Sequence, residues 1–275
     1  MAFTILERLL TRCPRSVRAM GYLKEAIAIR ARYRRVKNHW RSHIDRCRSV
    51  ILGAMEECPS HRKAVVLGGG LLHDVPLAEL AARFREVILV DIVHPIFSRW
   101  TTRKWKNVRR VTADITNTVE DLYWVSDEPE KPLPKSIPTL FLDDEEVDFT
   151  VSINILSQLP CMPLDYLAYQ RAHPSRERDD YARDVIQAHL DYLERLPGRV
   201  VLITDVERLK IDMLRRVVER KDLLFGLKLP MAGEEWEWQL APCPEADRKH
   251  HYYRRVVGIG TFGTSAATRP ISLMA

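Results

Sequence analysis

A short apolar run that leads directly into three glycines constrains this fold more than any other feature of the sequence. Residues 64–67 (AVVL) precede Gly68, Gly69 and Gly70, and a helical pattern begins at Leu77. Glycine allows a tight turn and leaves backbone N–H groups bare. A strand, a glycine loop and a helix in this order can therefore hold a nucleotide-like ligand at the amino end of the helix. The sequence predicts an α/β fold with a ligand site at this loop.

Apolar runs that alternate with helical stretches extend this pattern after Pro59. Strands are predicted at 64–67, 87–90, 108–111, 148–155 and 199–204, and helices at 77–84 and 180–196. Strands separated by helices pair in parallel through right-handed crossovers. Two last strands, 236–240 and 253–259, have no helix between them and predict an antiparallel hairpin. We therefore predict a doubly wound, mostly parallel sheet that is closed by a C-terminal antiparallel hairpin, with a surface loop at the proline-rich segment 126–139.

Two acids end successive predicted strands. Asp91 lies 23 residues after Gly68, and Asp114 lies a further 23 residues along the chain. An acid at the end of the second strand can accept hydrogen bonds from a ribose diol. A dinucleotide fingerprint would need a third glycine at position 73, which is His73 here. Because Asp114 could reach an adenine amino group, the pattern favours an adenosine ligand without a pyrophosphate.

In these motifs the sequence resembles the class I S-adenosylmethionine-dependent methyltransferases. The motifs are VVLGGG (65–70), ILVD (88–91), VTAD (111–114) and DFTVSINILSQLP (148–160), and the resemblance covers roughly residues 60–260. It implies S-adenosylmethionine as the cofactor, with the three glycines at its methionine end. It also implies that Asp91 binds the ribose and that Asp114, with Ile115 beside it, binds the adenine. Asn154, after the fourth strand, would border the transferred methyl group.

Departures from that family leave the methyl acceptor open. Leu67 stands where an acid is usual, and residues 154–157 (NILS) replace the DPPY or NPPY signature of adenine- and amide-specific enzymes. We expect a methyltransferase that acts on a small molecule, for which an anionic acceptor is one option. Because a fold alone does not establish a function, a non-catalytic interaction module on the same fold is an alternative.

Histidines on the loops around the predicted site are the candidates for acid–base chemistry. His73 follows the glycine loop and His94 follows the second predicted strand, and Asn154 is the third candidate for the reaction centre. Methyl transfer from a sulfonium chiefly needs alignment and the exclusion of water, so a general base is optional. The five cysteines form no CxxC pair, so no metal site is predicted, and we expect a reducing, cytoplasmic location.

Residues 1–62 differ from the remainder in charge and pattern. The chain has a net charge of +6, but residues 1–63 hold fifteen Lys/Arg against five Asp/Glu. Residues 22–55 contain no proline and have an apolar residue every third or fourth position, which predicts one long amphipathic helix or two helices broken near Asn38. A shorter helix is predicted over residues 3–10. We therefore divide the chain into a basic helical extension (1–62) and a methyltransferase-like α/β domain (63–275).

The two faces of the long helix support different interpretations. Four basic residues recur on one face and could bind RNA phosphates, which makes an RNA methyltransferase an alternative; they are Arg30, Arg34, Lys37 and Arg41. The apolar stripe on the other face comprises Ile29, Tyr33, Val36, Trp40, Ile44, Cys47 and Ile51. These side chains must be buried, either because the helix is a lid across the mouth of the cleft or because it packs against the same helix of a second chain in a homodimer. No apolar run approaches the roughly 20 residues of a transmembrane helix.

Overall fold

The computed structural model describes residues 7–263, apart from the side chain of Phe97. Its strands are β1 (Lys63–Leu67), β2 (Glu86–Asp91), β3 (Val108–Thr112), β4 (Val147–Ile153), β5 (Arg199–Asp212), β6 (Val217–Asp222), β7 (Glu234–Ala241) and β8 (His250–Ile259). Its helices are α1 (Arg15–Ala19), α2 (Tyr22–Glu56), α3 (Leu77–Arg83), α4 (Ile96–Thr102), α5 (Val119–Val125), α6 (Cys161–Gln170) and α7 (Ser175–Arg195), and a 3-10 turn spans Leu156–Gln158.

The strands form one eight-stranded sheet in the order β3-β2-β1-β4-β5-β8-β7, with β6 paired to the second half of β5. Strands β1 to β5 are parallel, whereas β8 pairs antiparallel with both β5 and β7. The doubly wound, mostly parallel sheet with a C-terminal antiparallel hairpin is therefore confirmed. The strand order reverses between β1 and β4, and ligands of open α/β sheets bind at the carboxyl ends of strands at such a point.

Successive side chains of β1 point to opposite faces of the sheet, so the hydrophobic core has one half on each face. Ala64 and Val66 pack with α2 and α3 on one face of the sheet. Val65 and Leu67 pack on the other face with α7, through side chains such as Leu190. A parallel strand that is covered on both sides is expected to be apolar throughout. All five residues of β1 are buried, and the one charged residue, Lys63 at the start of the strand, pairs its ammonium with acids.

The long helix predicted near the amino-terminus is α2, which has 35 residues and a kink at Val36 (φ −120°, ψ 21°). The predicted break near Asn38 thus lies two residues from the observed one. The second half of α2 packs on β7, where the Trp40 indole N–H donates to the Leu240 carbonyl at 3.0 Å. Within the shorter helix predicted over 3–10, residues 7–10 are helical and residues 3–6 lie outside the described part of the chain.

The hairpin of β5 and β6 was not predicted from the sequence. The expected strand ended at residue 204, whereas β5 continues to Asp212 and turns into β6, all six residues of which are exposed. Charged residues dominate residues 205–222, so neither an apolar run nor strict alternation marks this strand pair. Among the helices of residues 7–263, none is both long enough and apolar enough to span a membrane.

Candidate functional site

A cavity of about 350 Å³ lies beyond the carboxyl ends of β1 to β4 and continues to β7 and β8. This volume is within the range of roughly 300–1,000 Å³ that is typical of small-molecule sites. Helix α2 lines the cavity from one end to the other, through Tyr22, Glu25, Ala26, Ile29, Arg32, Trp40, His43 and Ile44. The cavity therefore lies between the sheet edge and the amino-terminal helix.

The glycine loop forms one wall because side chains would not fit there. Gly68 has φ +91°, and a Cβ on it would lie 2.5 Å from Ile155 Cγ2. A Cβ on Gly70 would lie 2.6 Å from Asp91 Oδ2. Gly68 and Gly70 both line the cavity, whereas the middle residue, Gly69, packs on Leu89 and is not part of the wall. Positions 68 and 70 therefore need glycine because the loop packs tightly against the ends of β2 and β4.

Asp91 faces the cavity from the end of β2. Its Oδ2 accepts a hydrogen bond from the Gly70 N–H (2.9 Å), and its Oδ1 accepts one from the Val93 N–H (3.2 Å). Burial raises the pKa of this carboxyl, and the neighbouring His94 opposes that effect. Since each carboxylate oxygen can accept two hydrogen bonds, Asp91 retains acceptor capacity towards the cavity.

Asp114 also lines the cavity, but its own chain engages both of its oxygens. Oδ1 accepts from the Thr116 N–H and hydroxyl, and Oδ2 accepts from the N–H groups of Thr118 and Val119 at 2.8 Å each. These bonds satisfy backbone donors at the start of α5, which is the role of a helix cap. The adjacent Ile115 is buried and lies on the cavity wall.

Asn154 follows β4 in the left-handed region (φ 52°) and places its amide on the cavity wall. Its Nδ2 donates to Asp74 Oδ2 at 2.5 Å, while its buried Oδ1 has no hydrogen-bond partner among the described residues. Burial raises the pKa of Asp74, which favours the neutral carboxyl. An amide with unused hydrogen-bonding capacity and a half-buried acid thus lie side by side at the point where the strand order reverses.

His43 connects this pair to the C-terminal strands. The Trp236 indole N–H donates to His43 Nδ1 at 3.1 Å, and His43 Nε2 lies 3.2 Å from Asn154 Nδ2. The ring of Trp238 stacks on the imidazole with a centroid distance of 4.0 Å. Burial lowers the pKa of His43 to about 3, so this imidazole is neutral near pH 7.

Three of these side chains approach one another as metal ligands could. Donor atoms of His43, Cys47 and Asp74 all lie within 4.8 Å of each other. Cys47 Sγ, however, is 3.7 and 3.6 Å from the two ring nitrogens, so it faces the ring of His43 rather than either nitrogen lone pair. A metal ion binds in the plane of an imidazole, along a nitrogen lone pair. We therefore assign no ion to this cluster.

The two histidines predicted from the sequence have different positions. His73 lines the cavity, stacks on Tyr33 at 3.8 Å, and has a pKa lowered to about 4 by burial. His94 is buried outside the cavity wall, with Nε2 3.1 Å from the Val111 carbonyl. Only His73 is therefore placed to contact a ligand in the cavity.

Several residues of the cavity were not predicted. His43, Asp74, Trp238 and Arg254 line it together with the predicted glycines and acids. They come from a helix, a loop and two late strands, and none belongs to a motif with fixed spacing. Asp74 could have been suspected as an acid just after the glycine loop, but the others meet only through the tertiary fold.

No protein-family model matches this sequence, and no curated protein matches it. Solved structures with partial similarity to this chain include N-methyltransferase NodS from Bradyrhizobium japonicum WM9 in complex with S-adenosyl-L-homocysteine. That protein is 13% identical, with a TM-score of 0.35 and coverage of 80% of this chain and 87% of NodS.

Two further structures are also methyltransferases. The Burkholderia thailandensis 1,6-didemethyltoxoflavin-N1-methyltransferase is 15% identical, with a TM-score of 0.31 and coverage of 86% of this chain and 89% of that one. The 23S rRNA methyltransferase ErmE is 12% identical, with a TM-score of 0.29 and coverage of 80% and 71%, respectively. At these identities and TM-scores the likenesses carry no argument about this chain, so its function has to be inferred from the site.

Proposed function

We propose that this protein is an S-adenosylmethionine-dependent methyltransferase whose acceptor is a small, anionic molecule. The observation that carries the proposal is the single continuous cavity. One end has the bare glycine loop and Asp91, which suit an adenosine ligand, and the other end has Asn154 and an aromatic wall. A cofactor and an acceptor bound in one cavity would meet beside Asn154.

The residues at the first end fit this cofactor. The backbone of Gly68 and Gly70 lines this end of the cavity, and Asp91 keeps acceptor capacity for a ribose diol. Ile115 offers an apolar surface for an adenine ring, with Asp114 beside it on the wall. We assign cofactor binding to Gly68, Gly70, Asp91 and Ile115. Gly69 only holds the turn, and Asp114, whose oxygens already accept two hydrogen bonds each, positions the loop that carries Ile115.

S-adenosylmethionine supplies a methyl group on a positively charged sulfonium, so the protein needs to align the acceptor and exclude water. Helix α2 lines the cavity along much of its length. The Asn154 amide can form a hydrogen bond with the acceptor molecule, while Asp74 holds that amide in place. His73 lines the same wall but is neutral, and its role would be contact rather than charge.

Isothermal titration with S-adenosylhomocysteine tests the cofactor assignment. We expect one site per chain, and Asp91→Asn should weaken binding by about tenfold or more, because hydrogen bonds to a charged acceptor are lost. Asp121→Asn, at an exposed carboxylate on α5, is the matched control and should leave the affinity unchanged. A folded protein that does not bind the ligand at high micromolar concentration would refute the proposal.

Turnover separates an enzyme from a non-catalytic module on the same fold. Labelled S-adenosylmethionine incubated with metabolite extracts should give a methylated product and S-adenosylhomocysteine. Cofactor binding without any product would favour the non-catalytic alternative.

The exposed basic side chains of α2 keep RNA as a second candidate acceptor. Arg34, Lys37 and Arg41 are exposed along one face, whereas Arg30 is ion-paired with Glu7. RNA binding through these side chains should weaken steeply with salt, and each lost phosphate contact should lower the slope by about one. RNA binding that is absent or independent of salt excludes this alternative.

We also propose that residues 1–62 act as a lid on the α/β domain, residues 63–275. Support comes from the position of α2 along the cavity and from its stripe, of which Val36, Trp40 and Ile44 are buried against the domain. A homodimer through the same stripe would require these side chains to leave the core of their own chain.

A further inference from the structure

Two buried donors at the β7–β8 end of the cavity make no hydrogen bond among residues 7–263, although the second of them is ion-paired. They are Trp238 Nε1 and Arg254 Nε, and both residues line the cavity. Only 7% of Trp238 is exposed. Because buried donors in folded proteins are nearly always satisfied, this wall favours a ligand that accepts hydrogen bonds.

The two donors lie side by side and cannot easily turn elsewhere. Trp238 and Arg254 are directly opposite in the register of β7 and β8, so their side chains share one face of the sheet. The Trp238 ring is fixed by flat stacking on His43 and by an edge contact with Trp40 at 4.8 Å. Arg254 Nε lies 3.4 Å from the buried Asp205 Oδ2, which holds the guanidinium in place.

Two guanidinium groups, those of Arg254 and Arg32, line this end of the cavity. Arg254 is balanced by Asp205, but Arg32, which also lines the cavity, shares its partner Glu245 with Arg35. Burial raises the pKa of the remaining acid there, Asp74, and so favours its neutral form. An anion is therefore the ligand charge that these groups would stabilise.

We propose that Trp238 and Arg254 bind an oxyanion of the methyl acceptor, a carboxylate or a phosphate, while its apolar body packs against Trp40, Ile44 and Leu240. This inference rests on the proposed function, since it assigns the acceptor's half of the cavity. It deepens that function by naming the group that is recognised and the two donors that recognise it.

The sheet geometry assigns this anion to the acceptor rather than to the carboxylate of the cofactor. The glycine loop follows β1 and Asn154 follows β4, whereas Arg254 and Trp238 are on β8 and β7, two and three strands beyond β4. At about 4.8 Å between strands, the backbones of β8 and β7 lie roughly 10 and 14 Å from that of β4. The Trp238 ring reaches back towards Asn154 by stacking on His43. An acceptor molecule that places its nucleophile near Asn154 and its anion near Arg254 would be about as long as one aromatic ring with a substituent.

Four small aromatic probes test the charge preference. Benzoate, phenyl phosphate, benzamide and benzylamine are titrated into the protein saturated with S-adenosylhomocysteine, with binding followed by calorimetry. We expect at least one of the two anions to bind at millimolar concentration, and benzamide to bind about tenfold more weakly, because charge-assisted hydrogen bonds are lost. The stronger of the two anions identifies the preferred oxyanion.

Conservative variants test the two donors. Trp238→Phe keeps an aromatic ring but removes the indole N–H, and Arg254→Lys keeps the positive charge but removes the Nε donor. Each should weaken the anionic probe by roughly tenfold. Arg255→Lys is the matched control, because Arg255 is the next residue on β8, is exposed and pairs with Glu207 on the opposite face. The affinity for S-adenosylhomocysteine should be unchanged in all three variants.

Several results would overturn the inference. They are failure of both anionic probes to bind the cofactor-saturated protein, equal binding of benzamide, and a preference for benzylamine. Loss of S-adenosylhomocysteine affinity in Trp238→Phe and Arg254→Lys, with probe binding intact, would assign the donors to the cofactor instead. Anion binding by a protein that binds no S-adenosylhomocysteine would refute the methyltransferase and leave the anion site standing.

Discussion

Replacement of Trp40 tests how much of the stability depends on the docking of α2. Trp40 is 4% exposed, contacts the Trp238 ring edge-on at 4.8 Å, and donates its N–H to the Leu240 carbonyl. A tryptophan buries about 200 Å², which at about 25 cal/mol per Å² corresponds to an upper value of about 5 kcal/mol. Since alanine retains part of that burial, Trp40→Ala should cost about 3–5 kcal/mol.

Urea denaturation, followed by circular dichroism, measures this cost. Trp40→Phe keeps most of the ring but leaves the Leu240 carbonyl without its donor, so it should cost about 1–2 kcal/mol. Trp124→Ala is the control, because Trp124 is 62% exposed and its loss should change stability by only about 0.5 kcal/mol. If Trp40→Ala cost no more than Trp124→Ala, α2 would not be docked as the structure shows.

Three further predictions concern the site and its surroundings. Gly70→Ala should weaken S-adenosylhomocysteine binding by about tenfold or more, because the new Cβ would displace the Asp91 carboxylate. Gly53→Ala is the comparison: a Cβ there lies in open space on α2, so this change should stabilise the protein by about 0.5–1 kcal/mol. Asp114→Ala should cost about 1–2 kcal/mol in urea denaturation by removing the cap of α5, and unchanged stability would contradict this role. His189 is a buried residue of α7, and burial lowers its pKa from 6.5 to about 3. As pH falls below 6.5, the imidazole is therefore protonated in the unfolded chain before it is in the folded one, and stability is lost. In His189→Phe this loss, measured between pH 7 and 5.5, should be smaller by up to about 1.4 kcal/mol per pH unit.

The sequence predicted those parts of the molecule that depend on local patterns. The glycine loop, the strand ending at Asp91 and the long helix 22–55 were all visible because burial imposes a period on apolar residues. The hairpin of β5 and β6 was missed because β6 is exposed along its length, so burial imposes no period on its residues.

The site was predicted only as far as single motifs extend. Gly68, Gly70 and Asp91 belong to one strand–loop–strand unit, so their proximity follows from the order of the elements. His43 and Asn154, in contrast, are 111 residues apart and meet only because α2 docks on β7. For Asp114, sequence could not separate a helix cap from a ligand contact, since both roles place an acid at the end of a strand.

The docking of α2 on β7 also constrains how the chain can fold during synthesis. Trp40 and its partner Leu240 are 200 residues apart, a separation that a ribosome covers in roughly 10–40 s. Until then the part of the stripe around Trp40 has no β7 to pack on, although the helix itself can form within microseconds. This part of α2 is therefore made early and docks last, and a nascent chain paused before residue 234 should expose it to chaperones.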